Sequence, residues 1–155
     1  MQTPFNKYAL KGNEMLKQVA EELGTPDDRD RALNVLKAVL HGIRNRITPE
    51  QSAQFIAQLP MIIKGVYVDG WQIGKHQKRI ATFDKFVEEV YELGGGCKGY
   101  AFGDLMEVES GIQAVFSVLK HYVSEGEFND ILSTMPAELR FQLLDFLMRQ
   151  GGLIM

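Results

Sequence analysis

Residues 48–63 read TPEQSAQFIAQLPMII and combine a helix start, a short apolar helix and a proline break. Thr48 is followed three residues later by Gln51, a spacing at which each side chain can satisfy a backbone N–H of the other residue. Pro49 suits the first position of a helix. Because Pro60 disfavours a helical conformation in the residue before it, this helix is predicted to end there and a separate short helix to follow.

The same pattern occurs a second time in residues 124–139, which read SEGEFNDILSTMPAEL. Ser124 and Pro136 lie 76 residues after Thr48 and Pro60. Two further helical patterns precede each copy, with apolar residues at spacings of three and four. The sequence therefore predicts an internal repeat of a four-helix unit.

Together these patterns predict an all-α fold of about eight helices, as two pseudo-repeated four-helix units packed into one bundle-like domain. We place the single domain at residues 1–155, the first unit at about 3–70, the linker at 71–81 and the second unit at about 82–150. Each unit is short and contains strongly apolar helices, so we expect the two units to share one core.

Several helix boundaries are also predicted from local signals. The first helix is expected to open at Thr3-Pro4 and to close at Gly24, and the fifth helix to close at Gly94 in the same way. The sixth helix is expected to carry an apolar face from Leu105 to Val123. The last helix is expected to bury one apolar face, which consists of Leu139, Leu143, Phe146 and Leu147.

The composition is that of an ordinary globular domain. The chain has 155 residues, a formal net charge of −3 and an apolar fraction of 45%. No run of about 18 apolar residues and no basic segment leading into an apolar run is present, so we predict neither a membrane span nor a secretion signal. The single cysteine, Cys97, cannot form an internal disulfide, which favours a cytoplasmic location.

Several strings of this sequence together resemble a known family. They are Ile43–Thr48, Gln58–Pro60, Gly65–Tyr67, Gly70–Trp71 and, in the second copy, Val123–Glu127. In this order they resemble the bacterial family known as domain of unknown function 2267, over about Leu16 to Phe146. The resemblance implies a small all-helical cytoplasmic protein, and it implies no activity, cofactor or catalytic residue.

Tyr67, Asp69 and Trp71 form the first candidate site, at the end of the predicted fourth helix. Two aromatic rings beside a carboxylate could anchor a partner or stack on a ligand. The alternative interpretation is that Trp71, the only tryptophan, fills the junction between the two repeats as part of the core. A pocket lined by the three residues would favour ligand binding.

The loop from Gly94 to Gly103 contains the second candidate, Lys98. Five of its residues are glycines, and successive glycines before a helix can form an anion-binding nest. The loop is not a P-loop, because Tyr100 and Ala101 stand where lysine and serine or threonine are required. The alternative interpretation is a flexible surface insertion.

The other polar residues predict no catalytic or metal-dependent chemistry. His41, His76 and His121 lack the spacing of metal ligands on one helix, so no metal and no cofactor are expected. The basic cluster Lys75–Arg79 belongs to a chain of net negative charge, which disfavours binding to nucleic acid. Because no nucleophile is accompanied by a base and an oxyanion site, the protein is predicted not to be an enzyme.

The last predicted helix is apolar on more than one face. Phe141, Leu144 and Met148 lie away from the side that would dock on the protein. The main hypothesis is therefore a non-enzymatic cytosolic helical interaction protein that self-associates as a homodimer, or binds another protein, through these three residues. They could instead cover the linker 71–81 of their own chain. The alternative function is a domain that binds a small molecule or anion near Trp71 and the glycine loop.

Overall fold

The architecture comes from a computed structural model that describes residues 3–74, 79–99 and 101–149. Within these ranges the chain forms eight α-helices, one short 3₁₀ helix and no β-strand. The α-helices are α1 (Asn6–Glu22), α2 (Arg29–Arg44), α3 (Pro49–Ile56), α4 (Met61–Val68), α5 (Phe83–Leu93), α6 (Leu105–Leu119), α7 (Glu125–Ser133) and α8 (Ala137–Arg149). The 3₁₀ helix, Gly96–Lys98, lies between α5 and α6. The predicted all-α class with about eight helices is confirmed.

Five of the helices begin with a side chain that caps the first turn. In each case an oxygen of the capping residue accepts a hydrogen bond from the backbone N–H three residues later. The capping residues are Asp28, Thr48, Thr82, Asp104 and Ser124. The helix starts predicted at Thr48 and Ser124 are therefore confirmed.

The reciprocal bond predicted for these two capping boxes is not formed. Gln51 Oε1 and Glu127 Oε1, which should accept it, are buried and have no hydrogen-bond partner in the described part of the chain. At the second copy the reason is visible, because the Ser124 N–H donates to Oε1 of Gln58 at 2.8 Å instead. A side chain from the first half of the chain thus takes the place of the local partner.

The start of α1 also differs from the prediction. The helix begins at Asn6 rather than at Thr3-Pro4, and the preceding Phe5 makes no side-chain cap. The cause is local, since Thr3 Oγ1 accepts a hydrogen bond from the Phe5 N–H at 3.3 Å and closes a turn ahead of the helix.

The two proline breaks lie where the sequence predicts them. Pro60 comes immediately before α4, and Pro136 comes immediately before α8. Each break therefore separates two short helices of one half of the chain. The structural equivalence of the two halves stays a prediction, which superposition of residues 48–63 on residues 124–139 would test.

α2 lies at the centre of the core. It packs on α1 and α4 from its own half of the chain and on α5 and α6 from the other half. α1 also packs on α6, and α3 packs on α7. The largest fully buried side chains come from both halves and are Tyr67, Phe55, Phe86, Phe102 and Phe116. The two halves thus share one hydrophobic core.

The glycine loop is anchored in this core by Phe102, which is only 1% exposed. A Cβ added at Gly94 would lie 2.8 Å from the Phe102 ring, and one added at Gly111 of α6 would lie 2.7 Å from it. These two glycines therefore leave the space that the ring fills. The expectation of a surface insertion is wrong for this part of the loop, where Ala101 is buried as well.

This packing also changes the interpretation of Gly94. Gly24 ends α1 in the left-handed conformation, with φ of +80°, whereas Gly94 ends α5 with φ of −86°. Both helices end at the predicted glycines, but the two glycines adopt different backbone conformations. Gly94 is required by the close approach of Phe102, and Gly95 takes the left-handed conformation instead.

The last two long helices agree with the predicted apolar faces in most positions. α6 ends at Leu119, so Tyr122 and Val123 lie in the turn that follows rather than in the helix. Leu105, at the first position of α6, is 45% exposed instead of buried. The four residues predicted to dock α8, which are Leu139, Leu143, Phe146 and Leu147, are all buried.

Gly111→Ala is predicted to lower the free energy of unfolding by about 1–3 kcal/mol, because the added methyl group meets the buried Phe102 ring and Val35. Gly65→Ala is the matched control: Gly65 lies in α4 with no atom within 4 Å of the added carbon. It should raise the free energy of unfolding by about 0.5–1 kcal/mol, through higher helix propensity. Urea denaturation of both variants measures the effects, and equal stabilisation by both would refute the proposed packing constraint.

Candidate functional site

Neither a cluster of metal-ligand side chains nor a membrane-spanning helix is found among the described residues. In residues 3–74, 79–99 and 101–149, no three His, Cys, Asp or Glu side chains are grouped as metal ligands would be. No helix in the same ranges is long and apolar enough to cross a membrane. Many of the polar side chains instead connect one helix to another.

Tyr67, the first residue of the predicted Tyr-Asp-Trp site, is part of the core. Its side chain is fully buried, and its hydroxyl shares a hydrogen bond of 2.7 Å with Oγ of Ser52 in α3. The Phe55 ring packs edge-on against it at 5.4 Å. Burial raises the pKa of Tyr67 to about 12, so the phenol is neutral at physiological pH. A ligand in solvent cannot contact this ring.

Trp71 lies just after α4, half-buried, with its ring edge-on to Tyr67 at 6.1 Å. Its indole N–H donates a hydrogen bond to no residue in the described ranges. Trp71 therefore extends the aromatic cluster of α3 and α4 toward the surface.

The last turn of α4 is held by three basic side chains of α2. Arg44 donates hydrogen bonds to the carbonyl oxygens of Tyr67 (2.7 Å) and Asp69 (3.0 Å). Nε2 of His41 lies 2.8 Å from the Val66 carbonyl oxygen. These carbonyls end the helix and have no partner within it, so α2 supplies the missing donors.

The third basic residue, Lys37, forms an ion pair with the Asp69 carboxylate at 2.9 Å. The hydrogen bond from Lys37 and its charge lower the pKa of Asp69. Burial lowers the pKa of His41, and the nearby cations Arg44 and Lys37 lower it further. Asp69 is thus engaged with α2, and the buried Tyr67 cannot line a pocket together with it.

The contacts of Lys37, His41 and Arg44 with the end of α4 were not predicted from the sequence, although a signal was present. The spacings of four and three residues place all three side chains on one side of a helix. Their partners are mostly backbone carbonyls, which no side-chain pattern reveals.

The glycine loop and the Trp71 region lie at opposite ends of α2. Nε of Arg31, near the start of α2, donates to the Ala101 carbonyl at 3.3 Å, whereas Arg44 at the end of α2 holds α4. Thirteen residues of helix span about 20 Å. The structure therefore does not bring Lys98, which is exposed in the 3₁₀ helix, together with Trp71 in one site.

The three predicted interface residues lie on α8 with different exposures. Phe141 is 63% exposed and Met148 is 58% exposed, whereas Leu144 is half-buried and packs against the core. The Arg140 guanidinium lies 5.1 Å from the centre of the Phe141 ring. The alternative that the linker 71–81 covers these side chains stays open, because residues 75–78 of that linker lie outside the described ranges.

A further polar group, which the sequence analysis did not identify, joins the end of α2 to α5. Arg46 forms an ion pair with Glu89 at 3.2 Å, and the Asn45 amide donates to the same carboxylate oxygen at 3.5 Å. Burial raises the pKa of Glu89 and lowers the pKa of Arg46. The 43-residue separation of the pair leaves no local sequence signal.

The free energy of unfolding should fall as the pH drops below about 6.5, the ordinary pKa of histidine, because the fold favours neutral His41 and the unfolded chain takes up the proton first. One such group gives a slope of at most about 1.4 kcal/mol per pH unit. Denaturation at pH values between 7.5 and 5.5 should show that the free energy of unfolding falls less in His41→Gln than in the wild type. The exposed His121→Gln variant should keep the wild-type slope, and identical slopes in all three proteins would contradict the role of His41.

The chain matches one family over residues 12–141, and that family is described as Uncharacterized conserved protein (DUF2267). No curated protein matches the chain. Most of the strings that carried the resemblance lie where the structure makes its connections: Arg44 and Arg46 follow Ile43, and Tyr67 ends the Gly65–Tyr67 string. The match spans most of the chain, which therefore belongs to the DUF2267 family.

Proposed function

We propose that the protein is a non-enzymatic, cytosolic helical interaction protein that self-associates through the outer ridge of α8, defined as Phe141, Leu144 and Met148. The observation that supports this proposal is the exposure of Phe141 and Met148 on a helix that is already docked. The two side chains are seven residues apart, which places them on the same side of the helix two turns from each other.

α8 is fixed to the protein by its inner face, so the ridge needs no rearrangement to bind. Leu143 and Leu147 are fully buried, and the Phe146 ring packs against Phe83 of α5 at 4.8 Å. The Phe83 N–H also donates to Oε1 of Gln142 at 2.6 Å. A rigid helix that presents apolar side chains loses little conformational entropy on binding.

The partner that we propose is a second copy of the same chain, because the ridge can pair with itself. In an antiparallel pair of α8 helices centred near Leu144, Phe141 of each copy lies opposite Met148 of the other, so each exposed apolar side chain covers another one. The antiparallel arrangement is the two-fold symmetric interface that is most common in homodimers.

The expected dimer is weak. Complete burial of an apolar side chain contributes about 1.5–3 kcal/mol, and Phe141 and Met148 are already partly covered in the monomer. Two copies of each side chain contribute a sum close to the lower end of the association cost of about 4–15 kcal/mol. The net free energy of association is therefore a few kcal/mol at most, and we expect a dissociation constant of about a millimolar or above.

Sedimentation velocity between about 0.05 and 2 mM tests the proposal, since the wild type should shift from monomer toward dimer in the range set by the weak interface. The double variant Phe141→Glu with Met148→Glu should remain a folded monomer over the whole range, because it places charges on both sides of the interface. Leu10→Glu changes a side chain of similar exposure on α1 and should leave the dimer intact.

Circular dichroism establishes that each variant is folded. A wild type that stays monomeric at the highest concentration overturns the proposal. A loss of dimer in Leu10→Glu as well as in the double variant would place the interface elsewhere.

The alternative function of the sequence analysis, ligand binding near Trp71 and the glycine loop, receives no support from the geometry of those residues. They lie at opposite ends of α2, and Tyr67 is inaccessible.

A further inference from the structure

A cleft of about 330 Å³ lies between the two halves of the chain, away from α8's outer ridge. The end of α2, the linker and the break between α7 and α8 each contribute to its wall. The lining residues are Asn45, Arg46, Arg79, Ile80, Thr134, Met135 and Pro136. This volume is at the lower end of the range for pockets that hold small molecules.

Both charged residues that line the cleft are arginines. The Arg46 side chain is only 3% exposed, and its guanidinium is held in place by Glu89 from behind the wall. Arg79 is exposed and forms no hydrogen bond or ion pair with any residue in the described ranges. Two guanidinium groups around one recess repel each other, and an anion between them would remove that cost.

The surrounding charges leave this cleft positive. Glu89 balances Arg46, which leaves the charge of Arg79 without a described counterpart. α8 begins directly after Pro136, and Glu138 in its first turn offsets the positive end of its dipole. The positive charge of the cleft therefore comes from the two arginines.

We propose that this cleft binds the phosphate group of a small molecule, with Arg79 and Arg46 as its two guanidinium contacts. A phosphate monoester carries close to two negative charges and presents three oxygens in different directions. One guanidinium group comes from the linker and the other from the end of α2. Each can contact a different pair of these oxygens. A carboxylate offers only two oxygens in one plane and carries one charge.

The test uses inorganic phosphate as the probe, titrated into the full chain at low salt and followed by calorimetry and by amide chemical shifts. The expected shifts are saturable and concentrated at Asn45, Ile80 and Thr134. Arg79→Gln should weaken binding at least about tenfold, the usual effect of losing one charge-assisted contact. Arg29→Gln removes an exposed arginine at the far end of α2 and should leave the affinity unchanged.

Glu89→Gln is expected to change the phosphate affinity in the direction opposite to Arg79→Gln. Phosphate should bind several-fold more tightly to this variant, because Arg46 loses its counter-charge. A purely structural role for the ion pair would produce unchanged or weaker binding, and either of these results would overturn the assignment of Arg46. Arg79→Gln replaces an exposed side chain, so this variant still tests the cleft if Glu89→Gln does not fold.

Three further results would overturn the proposal. The first is the absence of saturable phosphate binding, and the second is equal weakening by Arg79→Gln and Arg29→Gln. The third concerns the chemical class: acetate that binds as tightly as phosphate, with the same dependence on Arg79, would show a carboxylate site instead.

Discussion

The attachment of α4 to α2 imposes the main constraint on this structure. The helix is only eight residues long, so half of its carbonyl groups have no partner within it, and its last turn places the Tyr67 side chain in the core. Arg44 and His41 of α2 supply donors to the carbonyls of Val66, Tyr67 and Asp69. Because α2 also packs on α5 and α6, its position is determined from both halves of the chain, and α1, α4, α5 and α6 are arranged around it.

Interactions within one turn of helix could be predicted from the sequence, whereas long-range interactions could not. Thr48 and Ser124 were recognised as caps because the acceptor and the donor are three residues apart. The reciprocal bond at Ser124 failed because Gln58, 66 residues away, competes for the same N–H group. Apolar spacing likewise predicted which side of α8 is buried, since burial of a helix face follows from the periodicity of its own residues.

The candidate sites also depend on long-range contacts that the sequence does not reveal. Tyr67 was a candidate contact for a ligand or partner because it lies beside Asp69 and Trp71 in the sequence, but Ser52 and Phe55 enclose it from another helix. The arginine cleft was not predicted at all, because Arg46 and Arg79 are 33 residues apart and only the fold brings them to one recess. The sequence shows which residues are aromatic or charged. It does not show which residues they contact, because those contacts depend on how the two halves pack.

The position of α2 between the two halves also has a consequence for synthesis on the ribosome. Gly42 contacts Val90 and Phe86 of α5, and Val35 contacts Gly111 of α6, so one side of α2 has no cover until the second half emerges. The first four helices can form locally, but their apolar side stays exposed to solvent for the time needed to translate about 40–80 residues, roughly 2–16 s at common elongation rates. Completion of the core is therefore a late, long-range event, and the nascent first half is the species most exposed to chaperones and aggregation.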